Sequence, residues 1–206
     1  MPETEGVIKY HLKHKSTALP LDINIHEINT WRELCYQLQL IGQNPDLYQG
    51  YGYGNISQRY QDNQFIISGT QTGGEVQLNV QDYCLVTDTN LIKNSLQSKG
   101  ECQPSSEALT HASIYQHKSD IHCVIHAHNQ SIWHATHALS LPHTAASIAY
   151  GTPSMALAVK ELLQQSDFPV FSMLGHEDGI IAYGKDFSST FSALVNILAK
   201  AKQLSL

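Results

Sequence analysis

The stretch Ile121-His122-Cys123-Val124-Ile125-His126-Ala127-His128-Asn129 decides how the chain is read. A β-strand sends successive side chains to opposite faces of its sheet. A strand over 121–127 therefore puts Ile121, Cys123, Ile125 and Ala127 on one face, and His122, Val124, His126 and His128 on the other. His126 and His128 can then aim both imidazoles at one point beside the sheet. Two neutral imidazoles so placed form a chelating pair, and a catalytic zinc takes three protein ligands with one position left open. The competing reading is a strand end that turns a histidine face to solvent.

Two features outside this strand favour the metal. Glu107 closes Pro104-Ser105-Ser106-Glu107, the opening of a predicted helix that runs to about His117. Gly175-His176-Glu177-Asp178-Gly179 is a turn between predicted strands 169–174 and 180–183, and it offers a third ligand. Upstream, Ile28, Trp31, Leu34, Cys35, Leu38 and Ile41 keep helical spacing up to Gly42, with capping-box patterns at Asn24-x-x-Glu27 and Thr30-x-x-Glu33. A glycine-rich loop, Gly50 to Ser57, runs into a strand through Arg59. Strands follow at 64–68 and 83–87, with the flexible loop Gly69 to Gly74 between them. Downstream, a helix from Asn129 or Ser131 to Leu139 and a strand over 145–150 are expected. Thr152-Pro153 then begins a helix, and Asp186 caps a last one whose core face is Phe191, Leu194, Val195 and Leu198. Helices and strands alternate, with several strand-to-strand steps. This predicts a layered α/β fold around a mixed, mostly antiparallel sheet. Residues 1–25 read as a tail or loosely attached segment, and 26–206 as one domain.

The composition agrees with a single core: 206 residues, 42% of them apolar. A net charge of -6 argues against a nucleic-acid or membrane partner, since both call for a basic surface. The small basic cluster from Lys9 to Lys15 reads as a solvated tail. Cys35, Cys84, Cys102 and Cys123 have no C-x-x-C spacing and read as reduced thiols of a cytosolic protein. Residues 1–6 hold no apolar signal core, and no window approaches a membrane span, so a cytoplasmic location is expected. The abnormal count is histidine: 12, as many as Lys and Arg together.

In order along the chain stand Gly54-Asn55-Ile56-Ser57, Pro104-Ser105-Ser106-Glu107, His126-Ala127-His128, and His176 ahead of Gly179-Ile180-Ile181-Ala182-Tyr183. This ordered set resembles the class II aldolase/adducin family, over most of the chain from about Glu27 onward. The resemblance implies a three-layer α/β/α domain, a divalent metal (usually zinc) on three histidines, and a homotetramer with sites between subunits. By position, His126 and His128 match two metal ligands, Glu107 matches the catalytic acid/base, and Asn55, Ser105 and Ser106 match groups that hold a substrate phosphate. The slot directly before the family's glycine holds Asp178, with His176 two residues earlier. Either the turn is lengthened and His176 binds, completing a three-histidine set, or Asp178 replaces it. The family's Thr-Pro-Ser/Thr-Gly phosphate loop is here Ile67-Ser68-Gly69-Thr70-Gln71-Thr72-Gly73-Gly74. It lacks the proline but keeps small and hydroxyl residues able to ring an anion with backbone N–H groups.

The expected function is thus a metal-dependent lyase. It would cleave a ketose or ketose phosphate reversibly through an enediolate, with Glu107 moving the proton. Gly54, Asn55, Ser68, Gly69, Thr70, Ser105 and Ser106 would hold a phosphate or carboxylate. Ser105 or Ser106 could instead only cap the helix, and the glycines could only make a turn. Tyr150 and Tyr183 are candidates to donate to the aldehyde half, against simple packing. Epimerisation or dehydration would use the same site. A non-catalytic, adducin-like binding protein is the reading from another class, and the retention of His126, His128 and Glu107 argues against it. His111, four residues after Glu107, reads as a helical surface histidine.

Overall fold

The computed structural model describes residues 6–204. In chain order the strands and helices are β1 (His11–Ser16), α1 (His26–Gln37), β2 (Gly42–Gln43), β3 (Gly52–Tyr53), β4 (Asn55–Gln61), β5 (Gln64–Ser68), β6 (Tyr83–Asn90), β7 (Ser95–Gly100), α2 (Ala108–His117), β8 (Cys123–His128), α3 (Gln130–His134), β9 (His143–Thr144), α4 (Pro153–Gln165), β10 (Val170–Met173), β11 (Gly179–Gly184) and α5 (Phe187–Leu204). Nine strands form one sheet in the order β1-β7-β6-β5-β4-β8-β11-β10-β9. The pairs β1·β7 and β9·β10 are parallel and the other pairs of this sheet antiparallel, as expected for a mixed, mostly antiparallel sheet.

Residues 123–128 become the interior strand β8, held between β4 and β11 and buried along its whole length. Its two faces feed two separate cores. Cys123, Ile125 and Ala127 join Ile28 and Cys35 of α1, Ile132 of α3 and Leu194 of α5. Val124 joins Ala108, Ala112 and Tyr115 of α2 and Met155 and Val159 of α4. Both faces carry apolar side chains, so both must be covered, and a three-layer α/β/α arrangement results. Ile121 departs from the alternation. It lies ahead of the strand and packs with the α2/α4 core rather than with Cys123.

Several expected elements change. The segment read as a tail or loose first element contains β1, and its residues 1–5 lie outside the described residues. Polar side chains hid this strand, because an edge strand needs no strict apolar alternation. Asn24 Oδ1 accepts the His26 N–H at 2.8 Å ahead of α1, but the N-cap is Ile25 with no side-chain cap, so no capping box forms there. That helix stops at Gln37, and Leu40 and Ile41 peel into the core. The helix expected to reach Leu139 ends at His134, and 145–150 is turn rather than strand, with the Ile148 N–H bonded back to Ala145. The starts of α4 and α5 hold as expected: Thr152 Oγ1 accepts from the Met155 N–H at 3.2 Å, and Asp186 Oδ1 from the Ser189 N–H at 2.7 Å. Among the described residues, no helix is long and apolar enough to cross a membrane.

Candidate metal centre and anion loop

Strand β8 puts His126 and His128 on the face covered by α2 and α4. The turn between β10 and β11 brings His176 to them. That turn is closed by the His176 N–H donating to the Met173 carbonyl and the Gly179 N–H donating to the His176 carbonyl. The three ring centres lie 4.9, 5.1 and 4.8 Å apart, and one ligand atom from each histidine lies within 4.8 Å of the others. All three residues are buried. The competing reading, a histidine face turned to solvent, is therefore not what forms.

The donor set fits a divalent metal. Burial, reinforced by the neighbouring His128, His176 and His111, pushes the His126 imidazole well below its ordinary range, so the ring stays neutral, which is the ligating form. Its Nδ1 lies 3.1 Å from the Asn55 amide, while its Nε2 is buried with no hydrogen-bond partner among the described residues. A side chain fixing one ring nitrogen directs the other toward a metal. Asp178, the rival third ligand, sits apart. Its backbone is left-handed (φ 58°), and its carboxylate accepts the Tyr48 hydroxyl at 2.8 Å.

Glu107 stands at the mouth of α2 and is buried. Its Oε2 accepts the Thr110 hydroxyl at 2.6 Å, and its Oε1 lies 3.9 Å from His176 Nδ1. Gly54, Asn55, Gly69, Thr70, Ser105 and Ser106 line one small pocket together with Gln71, Thr72 and Gly73. Ser68 does not join them, because its hydroxyl accepts the Ile56 N–H at 3.2 Å inside the sheet. Gly54 is demanded by space: its φ is +72°, and a Cβ there would meet the Leu40 carbonyl at 2.9 Å and the His126 carbonyl at 3.0 Å. The Ser105 hydroxyl accepts the Glu107 N–H at 3.4 Å, so it also serves the start of the helix.

Of the two tyrosines, Tyr150 stacks on His176 at 4.4 Å with the rings 21° apart. Tyr183 lies toward the far end of β11, and its hydroxyl donates to the Phe168 carbonyl. Three groups escaped the sequence reading. Arg32 is buried on α1 and donates to the carbonyls of Thr72, Glu75 and Val76 at 2.6, 2.7 and 3.1 Å, tethering the loop that follows β5. Tyr48 and Tyr53 pack around the His128 ring at 4.8 and 5.6 Å. His111 is fully buried rather than at the surface. Its Nδ1 lies 2.7 Å from Ser57 Oγ, which in turn lies 2.8 Å from the Tyr115 hydroxyl. Burial pulls the His111 imidazole down to about 3. The one available signal was the i,i+4 spacing from Glu107, which puts His111 on the same face of α2.

The layered α/β/α fold brings three buried histidines that could hold a divalent metal, and a carboxylate beside them, to one place. The family model described as Class II Aldolase and Adducin N-terminal domain matches residues 44–204, and the chain belongs to that family. Among solved structures it is similar to an L-fuculose-1-phosphate aldolase from Thermus thermophilus, at 18% identity and TM-score 0.63 over 85% of this chain and 89% of that one. It is also similar to YgbL from Escherichia coli, described as a putative aldolase/epimerase/decarboxylase, at 16% identity and TM-score 0.64 over 86% of each chain. A sugar-phosphate aldolase from Thermotoga maritima matches at 16% identity and TM-score 0.64, over 87% of this chain and 92% of that one. At these identities the likeness shows the fold. No curated protein sequence matches the chain.

Proposed function

We propose that the chain is a metal-dependent lyase of the aldolase kind, with zinc as its resident metal and a ketose or ketose phosphate as substrate. The observation that carries this is the meeting of His126, His128 and His176 within 4.8 Å, with the Glu107 carboxylate 3.9 Å from the His176 ring. A divalent cation held by three imidazoles supplies Lewis acidity toward a carbonyl and its neighbouring hydroxyl oxygen. Glu107 is the proton-transfer group. Thr110 holds one of its oxygens, and the other faces the histidines. The loop pocket, with Asn55, Thr70, Ser105 and Ser106 on its wall, takes the substrate's anionic end. Buried walls strengthen each of these interactions by excluding water. Free thiols at Cys35, Cys84, Cys102 and Cys123 support a reducing, cytoplasmic setting. A homotetramer belongs to the same proposal and is checked by molar mass in solution.

The test compares wild type, His126→Ala and Glu107→Gln, purified without chelator or a His-tag column. Metal content and turnover of ketose phosphates are measured for each. Wild type and Glu107→Gln should each carry about one metal per chain, as a three-histidine site predicts, and His126→Ala should carry none. Turnover should fall about 10²- to 10⁴-fold in Glu107→Gln, the range for loss of a general acid/base. A wild type that stays empty after zinc is added back overturns the enzyme reading.

A further inference from the structure

Each histidine of the candidate centre is set by different neighbours. Asn55 meets a ring nitrogen of His126, and Tyr150 stacks on His176. His128 lies among aromatic rings. Tyr48 meets it edge-on, with ring centres 4.8 Å apart and the planes at 72°, and Tyr53 lies 5.6 Å away. The two tyrosines also brace each other, 5.1 Å apart at 66°. Tyr53 is placed by the pairing of β2 with β3, where it stands opposite Gly42. Tyr48 belongs to the loop between those strands, and Asp178 holds its far end, accepting the Tyr48 hydroxyl on Oδ2 at 2.8 Å. Asp178 is tied in turn to the strand that carries His128. Its carbonyl accepts the Asn129 N–H at 2.8 Å, and Gly179 pairs with His128 across β11 and β8. These contacts close a circuit from His128 through Asn129, Asp178 and Tyr48 back to the His128 ring.

Both ends of the Tyr48–Asp178 hydrogen bond rest on left-handed backbone: φ is 49° at Tyr48, 59° at Gln49 and 58° at Asp178. Residues other than glycine rarely hold this conformation, and it persists where the surroundings over-determine it, often beside functional sites. We propose that Asp178 serves the metal centre indirectly, by anchoring Tyr48 as a positioning residue that holds the His128 imidazole in its ligating orientation. This rests on the reading of the three histidines as a metal site. An edge-to-face neighbour resists rotation of the imidazole, because turning the ring loses the favourable geometry. A charged acceptor gives the tyrosine a stronger anchor than a neutral one would. The carboxylate that competes with His176 as third ligand in the sequence thus acts on the metal through Tyr48 and His128, as outer partners of ligating histidines do.

The test uses the full chain as wild type, Tyr48→Phe, Asp178→Gly and the double variant. Phenylalanine keeps the ring and removes the hydroxyl. Glycine tolerates the left-handed backbone at 178 and removes the carboxylate. Competition with a chelator reads zinc affinity, and the visible spectrum of the cobalt(II)-loaded protein reads the ligand geometry. Thermal unfolding of the metal-free proteins is followed in parallel. Each single variant should bind zinc about 10- to 100-fold more weakly than wild type, the range for losing an outer partner of a ligating histidine. The cobalt bands should move alike in both. The double variant should lose no more than either single one, because both residues act through one hydrogen bond. Wild-type zinc affinity and cobalt bands in Tyr48→Phe overturn the proposal; a lower melting temperature alone would mark a merely structural contact. Losses that add in the double variant also overturn it, since Asp178 would then reach the metal by its own route. Should Asp178→Gly fail to fold, Tyr48→Phe decides alone. A wild type that takes up no metal removes the three-histidine reading and this proposal with it, whereas a metal-loaded wild type that Tyr48→Phe matches removes this proposal only.

Discussion

Metal-dependent stabilisation tests the histidine centre without any knowledge of the substrate. The three imidazoles are buried and already within 4.8 Å of one another, so the folded chain presents a formed site that the unfolded chain lacks. A ligand that binds only the folded state stabilises it by about 4 kcal/mol when present at roughly a thousand times its dissociation constant. For a chain of this size each kcal/mol moves the melting temperature by about 2–4 °C, so saturating zinc should raise it by roughly 8–16 °C over the chelated protein. In His126→Ala two ligands remain, and the shift should shrink to within about 2 °C, since a catalytic zinc calls for three protein ligands. The cavity left by the ring cancels, because each variant is compared with itself, with and without metal. His137→Ala is the control: that ring is exposed and lies 4.8 Å from the His143 ring, away from the three histidines. Differential scanning calorimetry with chelator and then with excess zinc reads all three proteins. An equal zinc shift in wild type and His126→Ala would overturn the three-histidine site, and so would no shift in wild type.

Two further outcomes are expected. Arg32→Met removes three hydrogen bonds to the carbonyls of residues 72, 75 and 76. It should cost about 3 kcal/mol, the scale for losing charged hydrogen bonds in a buried place, and amide exchange should accelerate across 70–77; unchanged exchange there would mean that Arg32 does not hold the loop. The pH dependence of the metal-free protein follows from its buried neutral imidazoles. The folded chain leaves His111 unprotonated down to about 3 and also holds His126 well below its ordinary range, whereas unfolded histidines take up a proton near 6.5. Stability should therefore fall as pH drops below 6.5, at about 1.4 kcal/mol per pH unit for each such histidine. Urea unfolding between pH 7 and pH 4 measures the slope. His111→Gln should flatten it, and the same slope in both proteins would rule His111 out as a contributor.

The centre of the sheet and the residues brought to it were legible in the sequence. Period-2 alternation in 123–128 placed two histidines on one face, and the ordered motifs at Asn55, Glu107 and His176 named their companions. Strong local signals survived folding for a plain reason: the Thr152 and Asp186 caps, like the alternation of β8, depend on residues within a few positions of one another. What sequence proximity does not carry came from long-range packing. His176, not Asp178, faces the pair, because a left-handed residue at 178 turns that carboxylate to Tyr48 instead. His111 is buried because its helix packs on the sheet beside α4, and the elements that enclose it lie more than 40 residues away. Pairing within the sheet took Ser68 away from the loop pocket, and the docking of α1 brought Arg32 to the loop after β5. Residues 11–16 became an edge strand, whose side chains are free to be polar because only one of its edges is paired. Local spacing fixes where a side chain can point, but what it meets there is set by the tertiary fold, which distributes a limited apolar interior among all the elements at once.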